Sequence, residues 1–250
     1  MSGKYGLKPR PLGLKGPLQF FHFLKVDDLG APPEKVYREY KIPADAWGMF
    51  RNDSISDCTC AAIAHMLMLV TAHTGKLLIP DEGDIIKAYS AITGYDPATG
   101  ANDNGADLPT VLNYWRDTGV AGHKIVQWGD VDHTSIDMQK HAIDIFGATD
   151  DALAFPISAE RQFDAGADFA LVNPDGGNAG GHCVPRFGYG SVGATCVTWA
   201  RTVGGPWDWW MKYLFESTAV ITQDWINQAS GLTPGGFKMD ALLTVIKELA

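Results

Sequence analysis

Cys58 stands at the start of a long apolar stretch and is the best-placed candidate nucleophile in this sequence. From Cys58 to Gly75 the chain contains no Asp, Glu, Lys or Arg, and this pattern predicts a helix buried on nearly every face. The Asp and Ser residues just before it are of the kind that cap helices. A helix N-terminus favours a thiolate through its free N–H groups and positive dipole, and the thiolate is the nucleophilic form of cysteine. The alternative is that Cys58 is a small buried apolar residue, as most free cysteines are.

A nucleophilic cysteine needs a base within hydrogen-bond reach, and His182 is the histidine with the most informative surroundings. It follows Gly180 and Gly181, which permit a close backbone approach at the start of a strand. The alternative is a strand-end histidine beside a tight turn. His65 and His73 lie on the apolar helix itself, too far along it to reach the cysteine, so we expect them to be core histidines. The other four have no informative surroundings: His22, His123, His133 and His141.

Cys60 is a rival nucleophile. It lies two residues after Cys58, about 200° around a helix axis, so the two cysteines cannot face the same base. Cys58 is favoured because it stands at the helix terminus.

The remaining cysteines, Cys183 and Cys196, are expected to face each other across a hairpin centred near Tyr189 and Gly190. A reduced apolar pair is the default, and cross-linking under oxidation is the alternative. The cysteine spacings match no zinc pattern.

The composition excludes several classes of partner. The 250-residue chain has a net charge of −9, so no nucleic acid or anionic membrane is expected as a partner. The apolar helix is near the length of a membrane span, but His and Thr residues interrupt it and no basic run flanks it, so no span is predicted. The basic N-terminus lacks the apolar core of a signal peptide, which predicts a reducing compartment such as the cytoplasm; a virion location enters only with the family resemblance described below. We expect no cofactor and no metal; Asp96, Asp103 and Asp107 suggest calcium, but their spacing does not fit an EF-hand loop.

The order of elements predicts an α+β fold, in which a helical half with a central buried helix packs against an antiparallel β-sheet or barrel half. Four regions are predicted: an extended proline-rich arm (1–46), the helical half (47–122), the β-rich half (123–225) and a C-terminal helix (226–250). Further helices are predicted over 80–93, 108–119, 135–147 and 236–250. Strands are predicted near 123–128, 152–157, 168–172, 182–190, 194–201 and 217–222.

Four segments of the chain carry a recognisable pattern. They are the nucleophile segment 52–59, Gly105-Ala106-Asp107 with the helix after it, Gly-Gly-His-Cys-Val (180–184) with Phe187-Gly188-Tyr189, and Val197-Thr198-Trp199-Ala200 followed by Trp207 and Tyr213. Together they resemble the papain-like cysteine peptidases, and more narrowly an uncharacterised group of that family from bacterial and phage genomes. The resemblance covers roughly residues 47 to 225. Its cysteine and histidine segments are specific together, and its tryptophan segment is weaker.

The resemblance implies roles for individual residues. Cys58 would be the nucleophile and His182 the base, while Asn52 would replace the family's oxyanion-hole Gln beside the Cys58 backbone N–H. The family's histidine-orienting Asn falls on Val197, which has no polar side chain. Thr198 is the nearest polar residue, but on a strand it points to the opposite face. Either a register shift brings Thr198 to His182, or another group orients the ring, or nothing does.

Two functions remain open from the sequence. The first is a papain-like thiol hydrolase that cleaves a peptide or isopeptide bond in a peptide or protein substrate. The second is a catalytically weak or inactive papain-fold structural protein, for example a phage particle component, with self-association or virion partners contacting the arm and Trp207–Trp210. Those tryptophans could instead fill the seam between the two halves. The arm could be removed, exchanged with a neighbouring copy or laid over the cleft.

Overall fold

Six helices and part of a seventh surround one sheet in a computed structural model of the chain, which describes residues 2–19, 29–37, 41–226, 230–238 and 243–244. The elements confirm the α+β class. The helices are α1 (Cys58–His73), α2 (Glu82–Thr93), α3 (Leu108–Asp117), α4 (Ile136–Phe146), α5 (Ile157–Asp164), α6 (Trp207–Tyr213) and α7 (Gln223–Ile226), with a 3-10 turn at Ala44–Ala46. The strands are β1 (Leu18–Gln19), β2 (Val36–Tyr37), β3 (Ile125–Asp130), β4 (Thr149–Pro156), β5 (Asn178–Tyr189), β6 (Gly193–Thr198), β7 (Arg201–Pro206) and β8 (Leu214–Thr222).

The helix α1 is buried from Cys58 to Thr71, as its uncharged sequence predicts. Within the described residues, no helix is long and apolar enough to cross a bilayer. Asp57 stands at the N-cap position, but its side chain makes no capping hydrogen bond, so the expected acidic cap is wrong at this residue.

The other predicted helices of the first 150 residues also form, and each has a side-chain cap. Asp107 accepts from the Thr110 N–H at the start of α3, and Ser135 accepts from the Met138 N–H at the start of α4. Gly147 ends α4 with φ +79, a left-handed conformation that suits glycine.

The sheet has the order β1-β3-β8-β4-β5-β6-β7, and β2 pairs with β5. All pairs are antiparallel except β1 with β3. The helix α1 packs on β5, so the cysteine end of the helix lies against the strand that carries His182. Because the core cluster contains α1 together with residues of β3, β4 and β5, it joins the two halves.

Two details of the β-rich half differ from the prediction. Residues 168–172 form no strand, since Phe169 instead donates its N–H to Gly204 and stacks on Trp209. The hairpin turn does follow Tyr189, but Cys196 pairs with Arg186 and Cys183 pairs with Ala152. The two cysteines therefore do not face each other.

The tryptophan cluster is not exposed, which corrects the interpretation of Trp207–Trp210 as a contact surface. Trp209 and Trp210 have 0% exposure and Trp207 has 8%. They lie in α6 and pack with Phe155 and Val184 of the sheet, so they fill the β-rich half.

Both ends of the chain are described in part. The arm lies along the body from residue 2 to residue 19, where Arg10 forms ion pairs with Asp130 and Glu216. Most of the apolar segment 18–24 and of the predicted C-terminal helix lies outside the described residues. Phe237 belongs to a turn closed by a bridge between Leu232 and Lys238, so the described start of that segment is not helical.

Candidate active site

Cys58 and His182 line the same small cavity between the two halves. The cavity has a volume of about 10 Å³, room for one water molecule at most. Cys58 enters it from the first turn of α1, where the backbone N–H groups have no intrahelical acceptor. Both side chains are only 1% exposed.

His182 has one nitrogen bonded and one free. Its Nε2 lies 2.6 Å from Thr198 Oγ1, whereas Nδ1 is buried without a hydrogen-bond partner in the part of the chain that the structure describes. If Nε2–H donates to the hydroxyl, Nδ1 carries the lone pair. This tautomer leaves Nδ1 able to accept a proton inside the cavity.

The strand register explains why Thr198, and not Val197, reaches the imidazole. Cys196 of β6 pairs with Arg186 of β5. Continuing this register sets Thr198 opposite Val184, which shares a strand face with His182 because side chains alternate along a strand. Val197 lies on the opposite face of β6.

Trp199 connects the histidine to Asn52, a contact that the sequence analysis did not identify. Its ring stacks on His182 with centroids 4.4 Å apart. Its Nε1–H donates to Asn52 Oδ1 at 2.8 Å. Because the indole N–H bonds to the amide oxygen, the Nδ2 end of the Asn52 amide points away from Trp199. Asn52 Nδ2 donates to the Lys4 carbonyl at 3.0 Å and to the Ile55 carbonyl at 3.3 Å.

Residues 2–8, termed the cleft segment, occupy the groove over the cavity. On one wall of the groove the Lys4 N–H donates to the Asn52 backbone carbonyl at 2.6 Å. On the other wall the Leu7 N–H donates to the Gly181 carbonyl at 3.1 Å. Ala106 donates to Gly6 at 2.9 Å and accepts from the Lys8 N–H at 3.0 Å. A peptide that adds backbone hydrogen bonds to a host in this way is a recognised binding mode. The sequence left open whether the arm is removed, exchanged with a neighbouring copy or laid over the cleft. Its first residues lie over the cleft.

The glycines of the sequence motifs make room for this segment. A Cβ atom on Gly105 would lie 1.9 Å from the Gly6 oxygen, and one on Gly181 would lie 2.4 Å from the Leu7 oxygen. A Cβ on Gly180 would lie 2.6 Å from Tyr5 Cβ. These distances are shorter than any real contact, so a peptide backbone can reach this depth only because the side chains are absent.

The closed cleft keeps the cysteine and histidine neutral. Burial raises the pKa of the Cys58 thiol to about 12, although the backbone amides of Cys183 and Gly6 favour the thiolate. Burial also lowers the pKa of His182 to about 3. At neutral pH the pair is therefore thiol and imidazole while the segment is bound.

Asp57 precedes the cysteine and is fully buried. Burial raises the pKa of its carboxyl group well above the usual value, which favours the uncharged acid. The neutral form matters because a carboxylate beside Cys58 would oppose formation of a thiolate.

Cys60 is buried on α1 but does not line the cavity of Cys58. His65 does line that cavity, which corrects the expectation that it lies too far along the helix, and its Nε2 is bonded to the Gly48 carbonyl at 2.9 Å. The three possible calcium ligands have separate roles: Asp107 caps α3, Asp96 binds Thr99, and Asp103 accepts from Ser56 N–H and Tyr89.

The fold is shared with solved cysteine proteases at low sequence identity. Xylellain, a cysteine protease from Xylella fastidiosa, superposes with a TM-score of 0.66 at 14% identity over 88% of this chain and 97% of its own. A procathepsin B from Trypanosoma congolense gives 0.60 at 12% identity over 88% and 86%. A cysteine protease from Carica candamarcensis gives 0.53 at 13% identity over 76% and 98%. No family model and no curated protein matches the chain. The structural likenesses show a papain-like cysteine protease fold.

Proposed function

We propose that this protein is a thiol hydrolase that cleaves a peptide or isopeptide bond. The observation that carries the proposal is the arrangement around one cavity of a helix-terminal thiol, an imidazole with a free Nδ1, and an amide donor already bound to a peptide carbonyl. Each group has the role that acyl transfer requires.

In the proposed reaction His182 takes the thiol proton and Cys58 attacks the substrate carbonyl. The negative oxygen receives hydrogen bonds from Asn52 Nδ2 and the Cys58 backbone N–H. His182 returns the proton to the leaving amine, and water then releases the acyl group from sulfur. Thr198 is a positioning residue, because it touches the imidazole and not the substrate.

The cleft segment must leave before substrate can bind. The backbone amide of its Gly6 favours the Cys58 thiolate and so lowers the pKa of that thiol, and its carbonyl oxygen accepts from the Ala106 N–H. The segment therefore blocks the nucleophile without offering it a carbonyl carbon. A Cβ on Gly6 would lie 1.8 Å from the Ser56 oxygen, so Gly6→Val displaces the segment while keeping the whole chain.

The test compares Cys58→Ala with Cys60→Ala in a Gly6→Val chain incubated with a proteome-derived peptide library. We expect new peptide termini, detected by mass spectrometry, with the Gly6→Val chain and with its Cys60→Ala form, and none with its Cys58→Ala form. Cleavage that survives Cys58→Ala would contradict the proposal. Absence of cleavage by the Gly6→Val chain would also contradict it and favour a binding or structural role.

A further inference from the structure

The arm that covers the cleft is basic in the part that the structure describes first. Residues 2–19 contain Lys4, Lys8, Arg10 and Lys15 and no Asp or Glu, whereas the whole chain has a net charge of −9. All of the acidic residues therefore lie outside this part of the arm. Because opposite charges attract across a surface, the arm and the body of the protein are complementary in charge.

Carboxylates lie along the path of the arm, beginning beside α5. There the Ser2 backbone N–H donates to Asp164, and the Ser2 hydroxyl donates to Glu160 at 3.0 Å. Further along the path, Lys4 Nζ lies 3.9 Å from Asp103 Oδ2. Each of these three carboxylates therefore contacts a hydrogen-bond donor or a cation of the arm.

The far end of the path holds the shortest ion pairs of the arm. Arg10 Nη2 lies 2.7 Å from Asp130 and 2.6 Å from Glu216, and the Gly16 N–H donates to Asp130 at 2.7 Å. The two carboxyl side chains are only 20% and 11% exposed. An unpaired charge at such a site is costly, so this end of the path needs a positive partner. The surface that joins the five carboxylates is termed the acidic groove: Glu160, Asp164, Asp103, Asp130 and Glu216.

The groove widens beside Glu216 into a cavity of about 750 Å³. Asp130 and Asp132 also line this cavity. Among the described residues, the Lys and Arg side chains of its wall are Arg10 and Lys15, and both belong to the arm. When the arm leaves, the wall keeps its three carboxylates and loses both of these cations.

The charge of the groove acts on a ligand whichever way the backbone of the ligand runs. Backbone hydrogen bonds and side-chain positions change when a peptide is reversed. Coulombic attraction instead falls off gradually with distance, and Lys and Arg carry their charge on long stems that reach in several directions. A preference for a cationic ligand therefore does not depend on the direction of the arm.

We propose that the acidic groove, once the arm is displaced, binds polypeptides rich in lysine and arginine, and that these are the substrates of the hydrolase. The binding part stands without hydrolysis, whereas the substrate part rests on the proposed function. The groove supplies affinity and selection, and Cys58 with His182 carries out the reaction. Polypeptides rich in Asp and Glu are repelled by the same carboxylates.

Binding is measured on a full-length chain that carries Gly6→Val, Arg10→Gln and Cys58→Ala, which frees the groove and prevents turnover. The probe is a fluorescent peptide with the sequence of residues 2–10, and its neutral match has Gln in place of Lys and Arg. The same titrations on a chain that keeps Arg10 report on the end beside α5. The comparison therefore does not depend on the folding of one variant.

We expect the basic peptide to bind about tenfold or more tightly than its neutral match. Raising the ionic strength from about 0.1 M to about 1 M should remove most of this difference, because the Debye length falls from about 10 Å to about 3 Å. Equal binding of the two peptides at the lower ionic strength would overturn the proposal.

Carboxylates of the groove are tested against carboxylates elsewhere by matched changes of charge. Glu160→Gln with Asp164→Asn should weaken binding of the basic peptide about threefold or more. The control pair is Glu82→Gln with Asp84→Asn, two exposed residues of α2, and it should leave binding close to that of the parent chain. Equal effects of the two pairs would contradict a specific acidic groove.

Cleavage is measured on the chain with Gly6→Val and Arg10→Gln, using the proteome-derived peptide library. We expect Lys and Arg to be enriched and Asp and Glu to be depleted around the bond that is cut. Cleavage without a charge preference would overturn the substrate class while leaving hydrolysis in place. Selective binding of the basic peptide without cleavage of any library member would support the groove and contradict the proposed hydrolase.

Discussion

A threonine hydroxyl takes the place beside His182 where the resembling family has an asparagine. The contact of 2.6 Å from Thr198 Oγ1 to Nε2 and the stacked Trp199 ring hold the imidazole in one plane. A hydroxyl has fewer hydrogen-bonding positions than an amide, but its oxygen can still accept a hydrogen bond from the Nε2–H group. The absence of an asparagine therefore does not leave the ring without an orienting group.

Thr198→Val should lower the rate of cleavage by about 10- to 100-fold, because a buried imidazole N–H without a partner costs about 1–3 kcal/mol. Thr198→Ser is the matched control, since it keeps the hydroxyl and should restore most of the rate. The measurement is the pH profile of kcat/KM in the Gly6→Val chain. A role for Thr198 in packing alone predicts instead that valine, which has a similar shape, is tolerated better than serine.

Single residues differed in how far the sequence could predict their positions. Cys58 and His182 could be placed because a helix start and a Gly-Gly-His segment are local signals. Thr198 could not be chosen over the alternatives, since its face depends on a register irregularity between Arg186 and Gly188 that leaves no mark in the sequence. Trp199 belongs to the Val-Thr-Trp-Ala segment of the family resemblance. Its contact with Asn52 nevertheless depends on the turn after β6, where Trp199 and Ala200 have positive φ, and the sequence does not predict this turn.

At the scale of elements, the long helix α1 was predictable from its uncharged sequence although it has no capping side chain. Among the shorter helices, those with side-chain caps were predictable and those without them were not. Asp81, Asp107 and Ser135 cap α2, α3 and α4, and each of these helices was expected. The helices α5 and α6 have Pro156 and Pro206 at their N-cap positions and no capping side chain, so no local signal marked their starts.

Strands β4 and β5 share a buried ion pair that stabilises the β-rich half. Arg186 Nε lies 2.8 Å from Asp151 Oδ2, and both side chains have 0% exposure. Asp151 also accepts from Ser217 at 2.6 Å, and Arg186 donates to Gln139 at 2.7 Å. Such a pair is costly to break from one side because the remaining charge cannot reach water.

Arg186→Met should lower the free energy of unfolding by about 3–5 kcal/mol, because Asp151 would remain buried and unpaired. Adding Asp151→Asn to the same chain should recover part of the loss. The control is Lys212→Met at the exposed ion pair with Asp175, where solvent screens the charges and a smaller change is expected. Urea unfolding measures all three variants, and unchanged stability of Arg186→Met would contradict the role assigned to the pair.

For the whole molecule, the sequence predicted two halves joined at a cysteine and a histidine, and the structure adds the cover over their junction. The fate of the arm could not be predicted, because the groove is made by glycines that are distant in the chain, Gly105 in one half and Gly180 and Gly181 in the other. Only the folded chain brings them together along one backbone path. The arm then continues to Arg10, whose ion pairs with Asp130 and Glu216 tie it to the sheet.

The cleft segment affects the reactivity of Cys58 because it helps to bury the thiol. With the segment bound, the thiol pKa is about 12, so alkylation of Cys58 should stay slow from pH 5 to pH 8. We expect displacement of the segment to expose the helix N-terminus to water and so to weaken burial, the largest cause of the raised thiol pKa. The thiolate should then persist below the value of about 8.5 that is usual for a free cysteine.

The rate of alkylation of Cys58 by iodoacetamide, mapped by mass spectrometry across pH 5 to 8, tests the central claim most directly. We predict that Gly6→Val labels at Cys58 at least about tenfold faster than the wild-type chain, that His182→Ala slows this labelling, and that Lys8→Val, an exposed change in the same segment, leaves the wild-type rate unchanged. Equal rates for the Gly6→Val and wild-type chains, or labelling spread equally over Cys58 and Cys60, would contradict a thiol site that the cleft segment holds closed.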